Sequence, residues 1–225
     1  MIQMYDLFKS YNNLSPALTK INIKFDRGDF AIIYGPSGAG KTTLLKIIYR
    51  DVLPEKGYLL FNGKNVMKMP FREIPYYRRK IGFIFQETKL IDNKTVFENI
   101  SIMLRICNSS EDEIYKKTNH ILSYMGLSHK KLCFPGQLSQ GEQQKIVIAR
   151  SVINDPCLIL ADEPVLDLDK ELTKGMMNLF QEMNKNGTTI LFVTNQEFLI
   201  NEYGYLSNKI VYLENGKIQK IQSNN

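Results

Sequence analysis

A chain of 225 residues suits one large domain or one domain carrying an inserted lobe, and it buries a sizeable core without disulfide staples. Its 44% hydrophobic and 23% charged shares exclude a disordered, collagen-like or bilayer-embedded chain. Lys and Arg outnumber Asp and Glu by 29 to 23, a net +6 that favours anionic ligands or surfaces, yet no run of five basic residues appears. A solvated lysine-rich surface is therefore expected rather than a nucleic-acid interface.

Cys107, Cys133 and Cys157 are few, odd in number and not spaced for zinc, which fits a reducing cytoplasm. The start, Met1 to Asp6, has no basic stretch followed by an apolar one, and no run reaches 18 apolar residues. The chain is expected to be neither exported nor membrane-spanning by itself.

In chain order, Ile21 to Phe25 alternates like a strand, Phe30 to Tyr34 is a continuous apolar strand, and Tyr58 to Phe61 precedes an Asn62-Gly63 turn. Lys41 to Arg50 shows helical spacing through Leu44, Leu45, Ile47 and Ile48. Ile81 to Phe85 reads as a further strand. Helical spacing then runs from Glu98 to Gly126, interrupted at Asn108-Ser109-Ser110, within a mostly helical stretch of residues 87–153. Two unalternating strands, Cys157 to Ala161 and Thr189 to Thr194, flank a helix over Lys170 to Asn184. A hairpin at Ile210 to Ile221 follows, and the Ser223-Asn224-Asn225 end is expected to fray. Strands without alternation predict a parallel sheet covered on both faces.

Gly35-Pro36-Ser37-Gly38-Ala39-Gly40-Lys41-Thr42 matches G-x-x-x-x-G-K-[ST] in full, between a strand and a helix, with Thr43 next. The glycines let amides close on phosphate oxygens while the helix N-terminus faces the anion. Lys41 is expected between β- and γ-phosphates and the Thr42 hydroxyl on Mg²⁺. The strand Cys157 to Ala161 ends in Asp162-Glu163 before Pro164, the place for a metal-holding acid and for a carboxylate that orients or deprotonates water.

Leu138-Ser139-Gln140-Gly141-Glu142-Gln143 opens a helix, and Ser139 with Glu142 satisfies a capping box that is a sufficient structural explanation by itself. Its position, after the glycine loop and before the Asp-Glu strand, makes the segment resemble the signature motif of ATP-binding-cassette ATPases. That resemblance implies an α/β P-loop fold: a RecA-like parallel core, an antiparallel N-terminal β-subdomain and an inserted helical subdomain. A single such domain over residues 1–225 is expected, with residues 1–86 and 154–225 as core and 87–153 as the helical subdomain.

The resemblance also implies ATP and Mg²⁺ as ligands. Gln86 resembles the family's glutamine that touches the metal and relays nucleotide state, Tyr11 the aromatic that stacks on adenine with Ala17 nearby, and Asp169 the loop residue that crosses to a second subunit. Ser139, Gln140, Gly141 and Glu142 would close over ATP held by another copy, in a homodimer formed on ATP binding. The runs Arg72 to Gln86 and Thr95 to Ile100 look most like the cell-division branch of the family, with lipoprotein-releasing and macrolide-exporting ATPases as near relatives. For the cell-division branch the implied partner is an integral membrane protein of the FtsX type. The implied place is the cytoplasmic face of the inner membrane, with the membrane surface met only through that partner and no nucleic acid involved.

Three positions depart from the family pattern. Val165-Leu166-Asp167 stands where Thr-Gly-Asn is usual, and Gln140 replaces a glycine. Thr194-Asn195 stands where Thr-His is expected. Asparagine donates a hydrogen bond but carries no charge near neutral pH, so slow hydrolysis, or a hydrolysis-poor ATP-gated scaffold, is expected. His120 and His129 cannot be assigned to the missing position and read as solvated or packed residues.

Overall fold

A computed structural model describes residues 1–11, 15–166 and 168–223. Asp167, one of the departures from the family pattern, lies outside the described residues, as do Asn224 and Asn225. The first elements are β1 (Ile2–Lys9), β2 (Leu18–Phe25), β3 (Phe30–Tyr34), α1 (Lys41–Ile48), β4 (Lys56–Phe61) and β5 (Lys64–Asn65). They are followed by α2 (Ile74–Arg78), β6 (Ile81–Ile84), α3 (Val96–Ile106), α4 (Glu111–Tyr124), α5 (Gln140–Val152) and β7 (Leu158–Asp162). The chain closes with α6 (Lys170–Lys185), β8 (Thr189–Thr194), α7 (Glu197–Tyr203), β9 (Lys209–Glu214) and β10 (Lys217–Ser223).

Two sheets result. One is antiparallel, in the order β2-β1-β4-β5; the other runs β10-β9-β3-β8-β7-β6, parallel from β9 to β6 with β10 added antiparallel as a hairpin. Every residue of β6, β7 and β8 is buried, which explains why their sequences show no alternation. The period of two persists in which core each side chain enters. Phe30, Ile32, Ile159, Ala161, Ile190 and Phe192 join one cluster with α3 to α7. Ala31, Ile33, Leu158, Leu160, Leu191 and Val193 join the other, with α1 and the antiparallel sheet.

The helical stretch shares the first of these cores with the sheet. Ile100, Leu104, Leu122 and Ile146 belong to the same cluster as Ile159 and Phe192. Helical spacing from Glu98 to Gly126 resolves into α3 and α4, the second capped by Ser110, whose hydroxyl accepts from the Glu113 amide at 3.3 Å. Within this lobe Asn99 is fully buried at 0% exposure. Its Oδ1 accepts from the Ile91 amide at 2.8 Å, and its Nδ2 donates to the carbonyls of Ile91, Lys94 and Thr95. One amide thus rivets the segment after Gln86 to the first turn of α3.

The strand β1 has no counterpart among the sequence-based expectations. Ile2, Met4 and Leu7 point inward, but register shifts on both sides of β1 after Met4 and Tyr5, with Asp6 at φ 45, break its alternation. Ser223, expected to fray, pairs with Lys209 in β10 because β9 carries the register to the end of the hairpin. Asn99→Ala leaves the half-buried Ile91 amide and the Lys94 carbonyl without the Asn99 side chain, while the Ile91 and Thr95 carbonyls keep backbone donors, so it lowers stability by about 1–3 kcal/mol in urea unfolding monitored by circular dichroism. Unchanged stability would show that this contact does not hold the loop.

Candidate phosphate-binding and hydrolytic site

Residues 35–40 join β3 to α1, and the backbone around them leaves no room for side chains at two positions. A Cβ on Gly35 would stand 1.9 Å from the Leu213 carbonyl oxygen, and one on Gly40 would stand 2.1 Å from that of Ala17. Gly40 also has φ 99 and is the N-cap of α1, so no side chain satisfies the amides of the first turn, which also lacks acidic residues. A hydrogen bond from the Gly216 amide to the Ala39 carbonyl, 3.1 Å, presses the β9–β10 turn against the same loop. The loop is held open-handed toward an anion by its neighbours' backbone.

Lys41 is 7% exposed, and its Nζ donates to the carbonyls of Gly35 (2.8 Å) and Pro36 (3.0 Å). Glu163 Oε1 lies 4.0 Å from it. Burial pushes the Lys41 ammonium pKa down, with Glu163 and Asp162 opposing the shift. Two carbonyls and one carboxylate therefore hold a cation that a phosphate would satisfy better.

Asp162 ends β7 and Glu163 follows it. Asp162 is 3% exposed; burial raises its carboxyl pKa, and a hydrogen bond from Thr42 opposes that. Its Oδ1 is buried with no partner, the kind of vacant acceptor that a divalent cation satisfies. Gln86 lies on a cavity of about 110 Å³ with Thr42, Lys46 and Asp162. A carboxylate, a hydroxyl and an amide oxygen are hard donors, and they fit Mg²⁺.

Glu163 adopts φ 47, a left-handed conformation unfavourable for a non-glycine residue, and its amide donates to Val193 at 3.0 Å. Burial raises its pKa. Against that, Thr194 Oγ1 donates to Glu163 Oε2 at 3.0 Å, and Lys41 and the Asn195 backbone also favour the charged form. The same hydroxyl accepts from the Gln196 amide at 3.0 Å, which fixes the direction of its proton. Glu163 and Gln86 also share a cavity of about 250 Å³ with Gln140 and Gln144.

Asn195 follows β8 directly, beside the loop, and its Nδ2 donates to Ser37 Oγ at 3.1 Å. Tyr11 is exposed at 42%, with the Lys9 ammonium 5.2 Å from its ring centre. The Ala17 carbonyl abuts Gly40, as the close approach there requires. The signature residues make local contacts: Ser139 caps α5, accepting from the Glu142 amide at 3.3 Å, while Glu142 Oε2 accepts from the Ser139 amide at 2.9 Å. Gly141 faces Leu168 and Leu172, and Asp169 caps α6 by accepting from the Leu172 amide at 2.8 Å. Gln144 Nε2 donates to the Pro164 carbonyl at 2.8 Å, tying α5 to the end of β7.

The structure thus gathers Gln86, Asp162, Glu163 and Asn195 around the loop 35–43. Of the residues assigned to a second copy's site, Ser139, Gly141, Glu142 and Asp169 have local partners, while Gln140 borders the Glu163 cavity of its own chain. Two contacts escape a reading of the sequence: the Thr194 hydroxyl on Glu163, and the β9–β10 turn on the loop. Thr194 stands next to Asn195, where the family pattern breaks, and that is the signal that could have found the first; no local signal marks the second.

A phosphate loop leaving one strand of a parallel sheet, with a carboxylate pair at the end of a nearby strand, defines a P-loop nucleoside triphosphatase. The chain belongs to the ABC transporter family, whose profile matches residues 18–166. It is 38% identical over 223 residues to the cell division ATP-binding protein FtsE of Streptococcus pneumoniae, covering 99% of this chain and 96% of that one. With the protein of the same name from Escherichia coli K12 it shares 40% over 205 residues, 91% and 92% of the two chains. Among solved structures, a dimeric ATP-binding cassette in a post-hydrolysis state bound to ADP and Pi superposes with a TM-score of 0.92 at 31% identity, covering 99% and 98% of the two chains.

A methyl group at Gly40 forces the Ala17 segment away and requires a left-handed alanine. Gly40→Ala is therefore expected to weaken nucleotide binding at least tenfold, a loss equivalent to about 1.4 kcal/mol, as read by fluorescent ATP-analogue titration. Wild-type affinity in this variant would mean the packing does not shape the loop.

Proposed function

We propose that the chain is the ATP-hydrolysing subunit of a membrane complex of the bacterial cell-division type, working with an integral membrane protein of the FtsX type at the cytoplasmic face of the inner membrane. The observation that carries the hydrolytic reading is the convergence of Lys41, Asp162 and Glu163 below the uncapped start of α1. The division setting is supported by relatives named FtsE over nearly the full chain.

In this reading the amides of residues 35–43 and the Lys41 ammonium bind the β- and γ-phosphates of ATP, and Lys41 exchanges its two carbonyl partners for phosphate oxygens. Thr42, Asp162 and Gln86 would hold Mg²⁺, which supplies charge neutralisation on the phosphates when bound. Tyr11 lies against adenine. Glu163 takes a proton from the attacking water, its carboxylate kept ionised and aimed by Thr194 and the Asn195 amide. Asn195 donates to the γ-phosphate as a neutral group after leaving Ser37.

In this reading residues 139–142 and Asp169, beyond capping α5 and α6 of their own chain, act on a second copy: two chains pack head to tail, with Ser139 at the start of α5 facing the γ-phosphate of the other. Hydrolysis removes that shared anion and lets the pair reopen. Gln86 sits on both the Asp162 and the Glu163 cavities, and the segment after it is riveted to α3, so loss of the phosphate reaches the helical lobe.

Glu163→Gln lowers steady-state phosphate release at least about 10²-fold while ATP binding persists. Asn195→His speeds it, by up to roughly 10²-fold if the neutral donor limits the step. Full activity in the first variant removes Glu163 as the general base, and no gain in the second removes Asn195 as the brake.

Thr194→Val deletes a hydrogen bond that favours the Glu163 carboxylate, so the carboxyl pKa rises further. Because the ionised form is the active one, the acid limb of the pH–rate profile moves to higher pH, and Thr194→Ser restores it. An acid limb unmoved by valine contradicts the positioning role of Thr194.

A further inference from the structure

The positive charge of the chain is not spread evenly. Residues 64–80 contain Lys64, Lys68, Arg72, Arg78, Arg79 and Lys80 against the single carboxylate of Glu73, a net +5. The rest of the chain is left with +1 of the total +6. Arg78 is engaged, bonded to the carbonyls of Tyr49 and Arg50 and 3.7 Å from Asp51. Lys64, Lys68, Arg72 and Lys80 are exposed, and their charged groups form no ion pair among the described residues. Exposed cations left without counter-charges are poised for an external anion.

The same stretch displays aromatic rings. Phe71 is 88% exposed, more than any other large hydrophobic side chain described, and Tyr76 is 63% exposed. The local fold holds them out. Ile74 and Tyr77 are buried, and the Tyr77 hydroxyl bonds to the Ile48 carbonyl, so the opposite face of α2 turns Tyr76 outward, while Arg72 is exposed in the turn before it. Pro70 before the turn at 71–73 and Pro75 in the first turn of α2 stiffen this presentation. Arg79 lies 4.9 Å over the Tyr76 ring.

Lys64, Tyr76 and Lys80 border a hollow of about 300 Å³, and Phe71 borders a second, of about 460 Å³, with Arg50 and Arg78. Projecting aromatics flanked by unpaired cations match a lipid headgroup layer, where rings settle at the interface and each cation gains from anionic lipid. A nucleic acid would be served by the cations but gives no reason for a bare phenylalanine at the apex. An acidic protein surface would leave that ring in water unless it also offered an apolar pocket.

We propose that the face formed by Phe71 and Tyr76 among Lys64, Lys68, Arg72 and Lys80 docks directly on an anionic bilayer surface, the rings entering the headgroup region and the cations pairing with lipid phosphates. This departs from the expectation that the membrane is met only through a protein partner. It does not depend on the identity of that partner or on hydrolysis.

The test is co-sedimentation of the full chain, without nucleotide or partner, with vesicles of phosphatidylcholine alone and of phosphatidylcholine mixed with phosphatidylglycerol. The chain is expected to pellet with the anionic vesicles only, and less as salt is raised. Removing two cations in Lys68→Ser with Arg72→Ser weakens the partition about fivefold per charge. Phe71→Ser weakens it several-fold at unchanged charge. The distant double variant Lys116→Ser with Lys174→Ser, equal in net charge to the first, leaves it intact. Thermal unfolding unchanged from the parent verifies that each variant is folded. No preference for anionic vesicles overturns the proposal, as does an equal loss in both double variants, which would reduce the effect to bulk charge. Vesicle binding unaffected by Phe71→Ser and by Lys68→Ser with Arg72→Ser, with loss instead of a co-purifying acidic membrane protein, assigns the face to that protein and likewise overturns it. ATP binding and phosphate release are measured separately, so failure of the vesicle test leaves the hydrolytic reading standing.

Discussion

A cation and two carboxylates share one nearly dry site, and the surrounding structure is arranged around that fact. Lys41, Asp162 and Glu163 are each less than a tenth exposed. Burial drives all three toward their neutral forms, and each is partly restored by a neighbour: the carboxylates for Lys41, Thr42 for Asp162, Thr194 for Glu163. Charge held at such cost makes sense when a highly charged ligand completes the set. A polyphosphate would supply the negative charge that the uncapped α1 amides and Lys41 lack, and a divalent ion would meet the vacant oxygen of Asp162.

Rigidity comes from backbone rather than from side chains. The Ala17 and Leu213 carbonyls touch the two glycine positions, and the β9–β10 turn bonds to Ala39. These contacts come from two distant parts of the chain, the segment at Ala17 and the β9–β10 hairpin. The loop is therefore shaped before any ligand arrives, which reduces the ordering cost of binding. The neighbourhood of Gln86 is built in a contrasting way, since Gln86 itself is exposed while the chain beyond it is fixed by the buried amide of Asn99. An exposed side chain next to a fixed backbone suits the role proposed for Gln86, which would respond to its ligand without losing its place.

Much of this is readable from sequence because phosphate binding needs particular residues at particular offsets. The loop, the Asp-Glu strand end and the cap at Ser139 are local patterns, and the structure places each on the expected element. The buried strands β7 and β8 are legible for a related reason, since a fully covered strand has no polar face to blur its ends. What stays hidden is non-local or irregular. The bulged β1 defeats a strict period of two, α2 and α7 are too short for a helical period to show, and the partnership of Thr194 with Glu163 joins strands 31 residues apart. The clustering of charge at residues 64–80 is visible in the letters, but only the fold shows that four of its cations and two of its rings face water.

The backbone angle at Glu163 has an evolutionary consequence. Glycine alone would relieve the left-handed φ of 47 at this position, and it would also remove a buried carboxylate. Under the proposed role of Glu163 as general base, the replacement that eases the backbone is thus the one that would remove the chemistry. Selection for durability and selection for turnover pull on this residue in opposite directions, so a lineage relieved of the need to burn fuel would be free to drift toward a sturdier, silent form.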